Sequence, residues 1–201
     1  YFGNVSIDGN KFIVGSPLAD IGATNAGSAY LFDSTPGALL RTLNNPTPEA
    51  VDAFGYSVSI SGNKVLIGTP YDKTGAYEAG SAYLFDATTG ALLQTFNNPT
   101  PALYDSFGIS VSLSGDSVLI GARGDNTGAS AAGSAYLYDA VTGALLKTFN
   151  NPTPAEGDHF GRSVSISSSG VLISAYNDST GATGTGSAYL FDATTGALLK
   201  T

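Results

Sequence analysis

The chain has 201 residues, of which 42% are hydrophobic and only 12% are charged, whereas a typical globular domain carries about 25% charged residues. Its net charge is −8 and no cluster of Lys and Arg occurs, so we expect no nucleic acid among its partners, because phosphate binding needs concentrated positive charge. No run of 18 apolar residues is present, so we expect no membrane span. Cysteine is absent, which excludes disulfides, and the absence of methionine indicates an excerpt or a processed product.

A repeat of about 53 residues organises the whole chain. Its copies begin at Phe-Gly pairs that are spaced 52, 53 and 53 residues apart, and these pairs are Phe2-Gly3, Phe54-Gly55, Phe107-Gly108 and Phe160-Gly161. A repeat of this length is one supersecondary unit that cannot bury its apolar face without neighbours. We therefore predict one repeat domain over residues 1–201, with four units at 2–53, 54–106, 107–159 and 160–201.

Each unit reads as four short strands, as the second copy illustrates. Val58 and Ile60 alternate with serines over residues 54–61, which is the period of two that a strand requires. Gly62 begins a two-residue hairpin turn of type II′ into a return strand at 64–68. The third and fourth strands are predicted at 81–85 and 91–96, joined by a turn in which an Asp accepts backbone N–H bonds and Gly90 is left-handed.

The predicted fold is all-β, because no segment shows the apolar spacing of a helix over ten or more residues. Four antiparallel strands per repeat make one blade of a β-propeller. Each blade should bury both faces, with the Phe of its Phe-Gly pair between blades. The sequence leaves open whether four blades close a ring or belong to a larger propeller.

These residues resemble a known repeat. The Phe-Gly pairs are followed after a strand by Gly-Ser-Pro at 15–17, Gly-Thr-Pro at 68–70 and Gly-Ala-Arg at 121–123, and then by Gly-Ser-Ala-Tyr. This order is similar to FG-GAP repeats, which build the propeller of integrin α-subunits and occur in many bacterial surface proteins. The fourth copy departs from it with Ser-Ala-Tyr at 174–176. The resemblance implies an extracellular propeller that binds partners.

One departure from the family concerns metal. Many FG-GAP repeats carry an Asp-rich calcium loop between their first two strands, where this chain has only two-residue turns at 9–10, 62–63, 115–116 and 168–169. Calcium takes 6 to 8 oxygen ligands, which such a turn does not offer. We expect no metal at this place, and no cofactor.

Four recurring aspartates are candidate ligand-binding residues. They occupy the loop before the aromatic strand, and they are Asp20, Asp72, Asp125 and Asp178. They form either a ring of carboxylates on one rim that binds a cation or a sugar, or Asx-turns that satisfy their own backbone. We favour the turn interpretation, and expect Asp52, Asp105 and Asp158, which lie two residues before Phe-Gly, to be turn caps as well.

Little in the sequence points to catalysis. Arg123-Gly124-Asp125 spells a tripeptide that integrins recognise, but only one copy has it, and we attribute it to chance. His159 is the only histidine and stands at a variable position, where we expect a surface residue. Without cysteine or a carboxylate pair outside turns, no apparatus for nucleophilic or acid–base catalysis is visible. The chain is therefore expected not to be an enzyme.

Two triplets match the N-glycosylation pattern, at Asn4 and Asn177, and both are candidate acceptors. Low charge and a polar Ser, Thr, Asn and Gly surface favour an extracellular or cell-surface location.

Three functions remain open. The first, which we favour, is a non-enzymatic extracellular adhesion module that binds a protein or a glycan. The second is a structural protein that associates with copies of itself into a fibre or oligomer. The third is the scaffold domain of an enzyme whose catalytic part lies elsewhere.

Overall fold

The computed structural model describes residues 3–180, 182 and 184–201. These residues contain strands and turns, and no helix. The strands, in chain order, are β1 (Val5–Asp8), β2 (Lys11–Ser16), β3 (Ser28–Asp33), β4 (Leu39–Asn44), β5 (Ser57–Ser61), β6 (Lys64–Thr69), β7 (Ser81–Asp86), β8 (Leu92–Asn97), β9 (Phe107–Ser114), β10 (Ser117–Ala122), β11 (Ser134–Asp139), β12 (Leu145–Asn150), β13 (Phe160–Ile166), β14 (Gly170–Ala175), β15 (Ser187–Asp192) and β16 (Leu198–Lys200). Phe2 of the first Phe-Gly pair lies outside the described residues.

The strands form four separate antiparallel sheets, one for each repeat. In every sheet the spatial order follows the chain, from β1 to β4 in sheet 1, β5 to β8 in sheet 2, β9 to β12 in sheet 3 and β13 to β16 in sheet 4. This is the meander of a propeller blade. The predicted all-β, propeller-like architecture with four-stranded antiparallel units is confirmed.

Local sequence explains the turns within each sheet. Gly62 has a φ of 58°, which is the positive value predicted for the first turn residue between β5 and β6. After β7, the Asp86 carboxylate accepts the N–H groups of Thr88 and Thr89 at 2.9 and 2.7 Å, and Gly90 has a φ of 78°. The start of the first strand differs from the prediction, since β5 begins at Ser57 rather than at Phe54, and Phe54 makes only an isolated bridge to Gly27.

The apolar core lies between consecutive sheets. Alternate side chains of each third strand point to opposite neighbours, so that Tyr83 and Phe85 of β7 pack against sheet 1, whereas Ala82 and Leu84 pack against sheet 3. Three such clusters join sheets 1 and 2, sheets 2 and 3, and sheets 3 and 4. The phenylalanines of the last three Phe-Gly pairs are fully buried in them, as predicted, and these are Phe54, Phe107 and Phe160.

Glycine allows adjacent sheets to approach backbone to backbone. A Cβ placed on Gly68 of β6 would lie 2.1 Å from the carbonyl oxygen of Gly108 in the next repeat. Gly108 itself has a φ of 88°, where an L side chain is strained. The glycine of each Phe-Gly pair, such as Gly108, therefore packs directly against a glycine near the end of the second strand of the preceding repeat, such as Gly68.

The first strands of all four sheets lie around a common cavity of about 210 Å³. Its lining contains residues from each repeat, including Val5, Val58, Val111 and Val164. Among the described residues, no apolar cluster joins sheet 4 to sheet 1. The structure thus shows a propeller-like fan around one axis, and closure of a ring is not seen.

Candidate functional site

The long connections of every repeat meet at one end of the fan, which we call the loop face. It consists of the loops between second and third strands (17–27, 70–80, 123–133 and the described part of 176–186) and of the linkers between sheets (45–56, 98–106 and 151–159). Backbone bonds tie them together: the N–H of Val51 donates to the carbonyl of Thr24 at 2.9 Å, and that of Phe54 to Ala26 at 2.9 Å. Backbone hydrogen bonds therefore join the linker to the loop of the preceding repeat.

A buried carboxylate fastens each linker. Asp52 accepts hydrogen bonds from the Asn45 side-chain amide at 2.8 Å and from the Glu49 backbone N–H at 2.7 Å, both at Oδ2. The same bonds recur at Asp105 and Asp158 in the following linkers. These three aspartates are turn caps, as the sequence predicts.

The second oxygen of this carboxylate has no protein partner in two linkers. Oδ1 of Asp52 and Oδ1 of Asp105 are buried without a hydrogen bond. Burial, together with the nearby Asp72 carboxylate, raises the pKa of Asp52 from 3.8 to about 6, and burial also raises the pKa of Asp105. The carboxylates of Asp52 and Asp105 are thus ionised at an electrostatic cost.

The loop aspartates Asp72, Asp125 and Asp178 are buried rather than displayed on a rim. Oδ1 of Asp72 accepts the N–H of Thr74 at 2.7 Å, which is an Asx-turn, and its Oδ2 accepts the hydroxyl of Tyr83 at 3.1 Å. Asp125 and Asp178 make the equivalent bonds with Tyr136 and Tyr189. A ligand-binding role for these carboxylates stays a prediction.

Asp20 does not occupy the same place as those three aspartates. The carbonyl of Ala19 accepts the N–H of Gly27 at 2.9 Å, as the carbonyl of Asp72 accepts that of Gly80 at 2.9 Å. Asp20 is exposed and accepts the N–H of Asn25 at 2.8 Å, one position further along the chain. The grouping of Asp20 with the other three was therefore wrong by one residue, because the sequence Leu-Ala-Asp places an Asp next to the repeat position.

A cavity of about 590 Å³ lies on the loop face, at the loops of repeats 2 and 3. Glu78, Tyr104, Arg123, Asn126 and His159 supply its charged, polar and aromatic groups. Leu103 and small residues complete the lining. This set combines one cation, one carboxylate, one amide and two rings, which are the groups that orient a polar ligand in a pocket.

Exposed aromatic rings surround this cavity. Tyr77 and Tyr104 meet edge to face with ring centroids 5.7 Å apart, and half of each side chain is exposed. The ring of His159 stacks on Tyr176 at 5.5 Å, and its Nδ1 lies 3.1 Å from the Arg123 carbonyl oxygen. His159 is therefore half-buried and ordered by its neighbours.

Backbone geometry at the cavity is set by the repeat. Five of its lining residues have positive φ values between 49° and 66°: Glu78, Tyr104, Ser106, Ala131 and His159. Equivalent residues of the first linker, such as Val51 and Ala53, are left-handed too, with φ of 72° and 58°. The left-handed turns are thus part of every linker, and the side chains placed on them differ between repeats.

The tripeptide Arg123-Gly124-Asp125 is built into this surface and not displayed as a unit. Asp125 is 3% exposed, and a Cβ on Gly124 would lie 2.0 Å from the Tyr104 carbonyl oxygen. Of the three residues, Arg123 and Gly124 line the cavity, whereas the Asp125 carboxylate accepts hydrogen bonds from Tyr136 and Thr127. The tripeptide therefore does not form the exposed loop that a receptor would require.

The opposite end of the fan carries the hairpin turns in which no metal site is expected. In the part of the chain that the structure describes, no group of three or more acidic or histidine side chains is close enough to hold a metal ion. The same residues contain no helix that is long and apolar enough to cross a membrane. The two glycosylation candidates are exposed, Asn177 on the loop face and Asn4 near the axis, where its amide donates to the Tyr56 carbonyl. Glycosylation stays a prediction.

Sequence reasoning missed the cavity because its residues belong to no recurring motif. Tyr104 is equivalent to Val51 and Gly157 in the neighbouring repeats. Arg123 is equivalent to Pro70 and Tyr176, and His159 is equivalent to Ala53 and Ser106. A useful signal was present: these varying positions all fall in the loops and linkers that the fold gathers at one end. In a repeat protein, positions whose residue type differs between repeats and that lie close together in the fold indicate a surface that can bind a specific ligand.

A family model matches most of this chain. The model of the FG-GAP repeat matches four segments, at residues 1–32, 47–85, 101–138 and 153–191. Each segment contains one Phe-Gly pair and the three strands that follow it. No curated protein matches the chain.

Proposed function

Because this chain belongs to the FG-GAP repeat family, we propose that it is a non-enzymatic binding module of an extracellular or cell-surface protein, and that it binds a protein or a glycan on its loop face. FG-GAP repeats are found in integrin-like extracellular binding modules, which supports the general class. The ligand site that we propose is the cavity between the loops of repeats 2 and 3.

The observation that carries the proposal is the convergence of non-repeated residues in that cavity. Arg123 and Glu78 bring opposite charges, and Tyr104 brings an exposed ring, to one concave surface of about 590 Å³. Arginine and tyrosine are the residue types that most often dominate binding energy at interfaces. The rigid linkers hold these side chains in place, so little conformational freedom is lost on binding.

The residues of the cavity support binding more than catalysis. His159 directs Nδ1 at a backbone carbonyl and stacks on Tyr176, so its ring is not paired with a carboxylate or a hydroxyl nucleophile. Asp72 and Asp125 are committed to backbone N–H groups and tyrosine hydroxyls. The unpartnered Oδ1 atoms of Asp52 and Asp105 are buried, and neither residue lines the cavity. An acid–base pair would need free carboxyl oxygens within about 3 Å of a reacting atom.

A binding screen tests this function. The purified chain is immobilised and probed with an array of extracellular glycans and with a panel of matrix and cell-surface proteins. Hits are then repeated with Arg123→Ala and with Tyr104→Asn, a change that keeps a residue type tolerant of the left-handed backbone. We expect each variant to weaken binding at least about tenfold, and Val141→Ala, an exposed residue at the opposite end, to bind as the parent does.

The screen also separates the two ligand classes, since glycan hits survive protease treatment of the ligand and protein hits do not. A ligand whose affinity is unchanged in both loop-face variants, yet falls in Val141→Ala, would contradict the proposed site.

A further inference from the structure

Arg123 brings an unpaired guanidinium to the loop-face cavity. The residue is half-buried and belongs to the lining of the cavity. In the described part of the chain, ion pairs join Lys64 to Asp116 and Lys73 to Glu49, and the Arg123 side chain takes part in no ion pair or hydrogen bond. A guanidinium is always charged and presents five N–H donors in one plane. Arg123 therefore has its donors available for an anionic group of a ligand.

Glu78 adds a carboxylate to the same cavity without pairing with Arg123. It is half-buried and lines the cavity as well. Burial is the main cause that raises the pKa of Tyr71, and of the nearby charges Arg123 lowers this pKa whereas Glu78 raises it, so both side chains lie near one phenol. A carboxylate accepts O–H groups in charge-assisted hydrogen bonds. The cavity thus offers donors for an anion and an acceptor for hydroxyl groups.

An aromatic pair stands beside these charges at one junction between repeats. The N–H of Tyr104 donates to the carbonyl of Tyr77 at 3.0 Å, and about half of each side chain is exposed. The equivalent bonds of the first and third linkers join Val51 to Thr24 and Gly157 to Ser130. The backbone is therefore the same at these junctions, and the middle one alone carries two rings. An exposed tyrosine ring is an apolar platform with a polar tip, which suits a ligand that has both C–H and O–H groups.

The rest of the lining is polar or small. Oδ1 of Asn126 accepts the N–H of Ala131 at 2.9 Å, so its NH₂ group is left to donate to a ligand. Leu103 is the one large aliphatic side chain among the lining residues, which does not make an apolar groove for a helix. Loops form this face, so it presents no strand edge that an extended peptide could join. These features favour a sugar over a peptide.

We infer, on the basis of the function proposed above, that the ligand of the loop-face cavity is an acidic sugar, a pyranose that carries a carboxylate. Arg123 pairs with this carboxylate, Glu78 and Asn126 bind hydroxyl groups, and the ring of Tyr104 stacks on the C–H face of the pyranose. The net charge of −8 repels polyanionic chains, so the ligand is a glycan with isolated acidic residues.

Matched monosaccharides test the charge of the ligand. The methyl glycosides of glucuronic and galacturonic acid differ from those of glucose and galactose only in a carboxylate that replaces a hydroxymethyl group. Titrations of the full chain, followed by NMR, give the dissociation constants. We expect an acidic glycoside to bind at least about tenfold more tightly than its neutral counterpart. Cyclohexanecarboxylate, which has the charge but no hydroxyl groups, should bind as weakly as the neutral sugars.

Variants of the cavity test the roles of its residues. Arg123→Gln should bind acidic and neutral glycosides equally, because the amide keeps a donor but loses the charge. Arg162→Gln is the matched control, since Arg162 lines the cavity at the axis and the same loss of charge there should leave the preference unchanged. Tyr104→Phe keeps the ring and should bind as the parent does, whereas Tyr104→Asn should weaken binding of both kinds of glycoside about tenfold. Unchanged circular dichroism shows that each variant is folded.

Three results would overturn the inference: equal binding of acidic and neutral glycosides by the parent, binding of cyclohexanecarboxylate as tight as that of the acidic glycosides, or a preference that survives in Arg123→Gln. Absence of binding by every glycoside at millimolar concentration would overturn it as well. The proposed function still stands in each case if a ligand from the binding screen loses affinity in Arg123→Ala, and it fails too if no ligand depends on the loop face.

Discussion

Equivalent positions in the linkers keep a left-handed backbone conformation even where the residue type differs. Val51, Tyr104 and Gly157 occupy equivalent sites with φ of 72°, 66° and 76°. Only glycine adopts such values without strain, and a β-branched residue such as valine is the least suited. At this position the first two linkers therefore hold strain that the third does not. The side chains here are free to differ because hydrogen bonds set the backbone conformation.

Replacing Val51 by glycine should relieve this strain. Half of the Val51 side chain is exposed, so little packing is lost, and we expect a gain of about 1 kcal/mol in the free energy of unfolding, measured by urea denaturation. Ala38→Gly, at an exposed position without positive φ, is the matched control and should not stabilise. A loss of stability in Val51→Gly would mean that the valine side chain contributes packing that the exposure does not reveal.

The raised pKa of Asp52 predicts an unusual dependence of stability on pH. Burial, and then Asp72, raise this pKa from 3.8 to about 6, while Lys73 opposes the shift. The folded state therefore binds the proton more tightly than the unfolded state, so the contribution of this group to stability is lost as pH rises from about 4 to about 6. Asp52→Asn should remove that slope, since an amide oxygen still caps Asn45 and Glu49 and the side chain no longer titrates.

Asp86→Asn is the control of opposite sign. The N–H of Thr89 is the main cause that lowers the pKa of Asp86, so its contribution is present above its ordinary pKa and is lost as pH falls. Melting temperatures between pH 3 and pH 8 distinguish the two variants. The assignment fails if Asp52→Asn leaves the profile between pH 4 and pH 6 unchanged.

Among structural elements, the Phe-Gly segment places a fully buried phenylalanine in each of the three junctions between sheets. Phe107 is completely buried between sheets 2 and 3, with ring centroids 5.6 Å from Tyr136 and 6.2 Å from Tyr138. We expect Phe107→Ala to cost about 3 to 5 kcal/mol in the free energy of unfolding, through lost burial and a cavity that both sheets line. Leu93→Ala, on an exposed outer strand, should change it by about 0.5 kcal/mol or less. If both variants lower the free energy of unfolding equally in chemical denaturation, packing between sheets does not contribute more to stability than the exposed strand does.

Strands were predictable because their signal is local. The alternation in β5, the glycine of its hairpin and the Asp-to-Gly turn after β7 each depend on a few neighbouring residues, and each was confirmed. The place of Asp20 was not predictable by the same means, since Ala19 and Asp20 are adjacent and only the bond from Gly27 to the Ala19 carbonyl shows which of them is equivalent to Asp72. Burial of Asp72, Asp125 and Asp178 beneath tyrosine hydroxyls is likewise a property of packing between strands.

For the whole molecule, calcium is expected to have no effect on stability. The two-residue hairpin turns offer too few oxygen ligands, and the described residues hold no acidic group of three or more that suits an ion. Thermal melting with added calcium, compared with sodium chloride of equal ionic strength, should move the melting temperature by less than about 1 °C. A rise of several degrees would reveal a bound ion that this chain's turns do not explain.

The loop-face cavity emerges only at the scale of the whole fan. Glu78, Tyr104 and His159 lie 26 and 55 residues apart along the chain and share no motif. Stacking of repeats brings them together, so the composition of the cavity depends on how neighbouring units are placed. The sequence alone predicted the class of protein. It did not predict which loops form the cavity.

The internal likeness of the sheets also bears on how the chain reaches its fold. The third strands β3, β7 and β15 share the sequence Ser-Ala-Tyr-Leu-Phe-Asp, and β11 differs from them only in having Tyr138. A hairpin of one repeat can therefore pair with the third strand of its neighbour almost as well as with its own. Refolding from denaturant should pass through such swapped pairings as slow, aggregation-prone species, because neighbouring units of high similarity compete for the same partners.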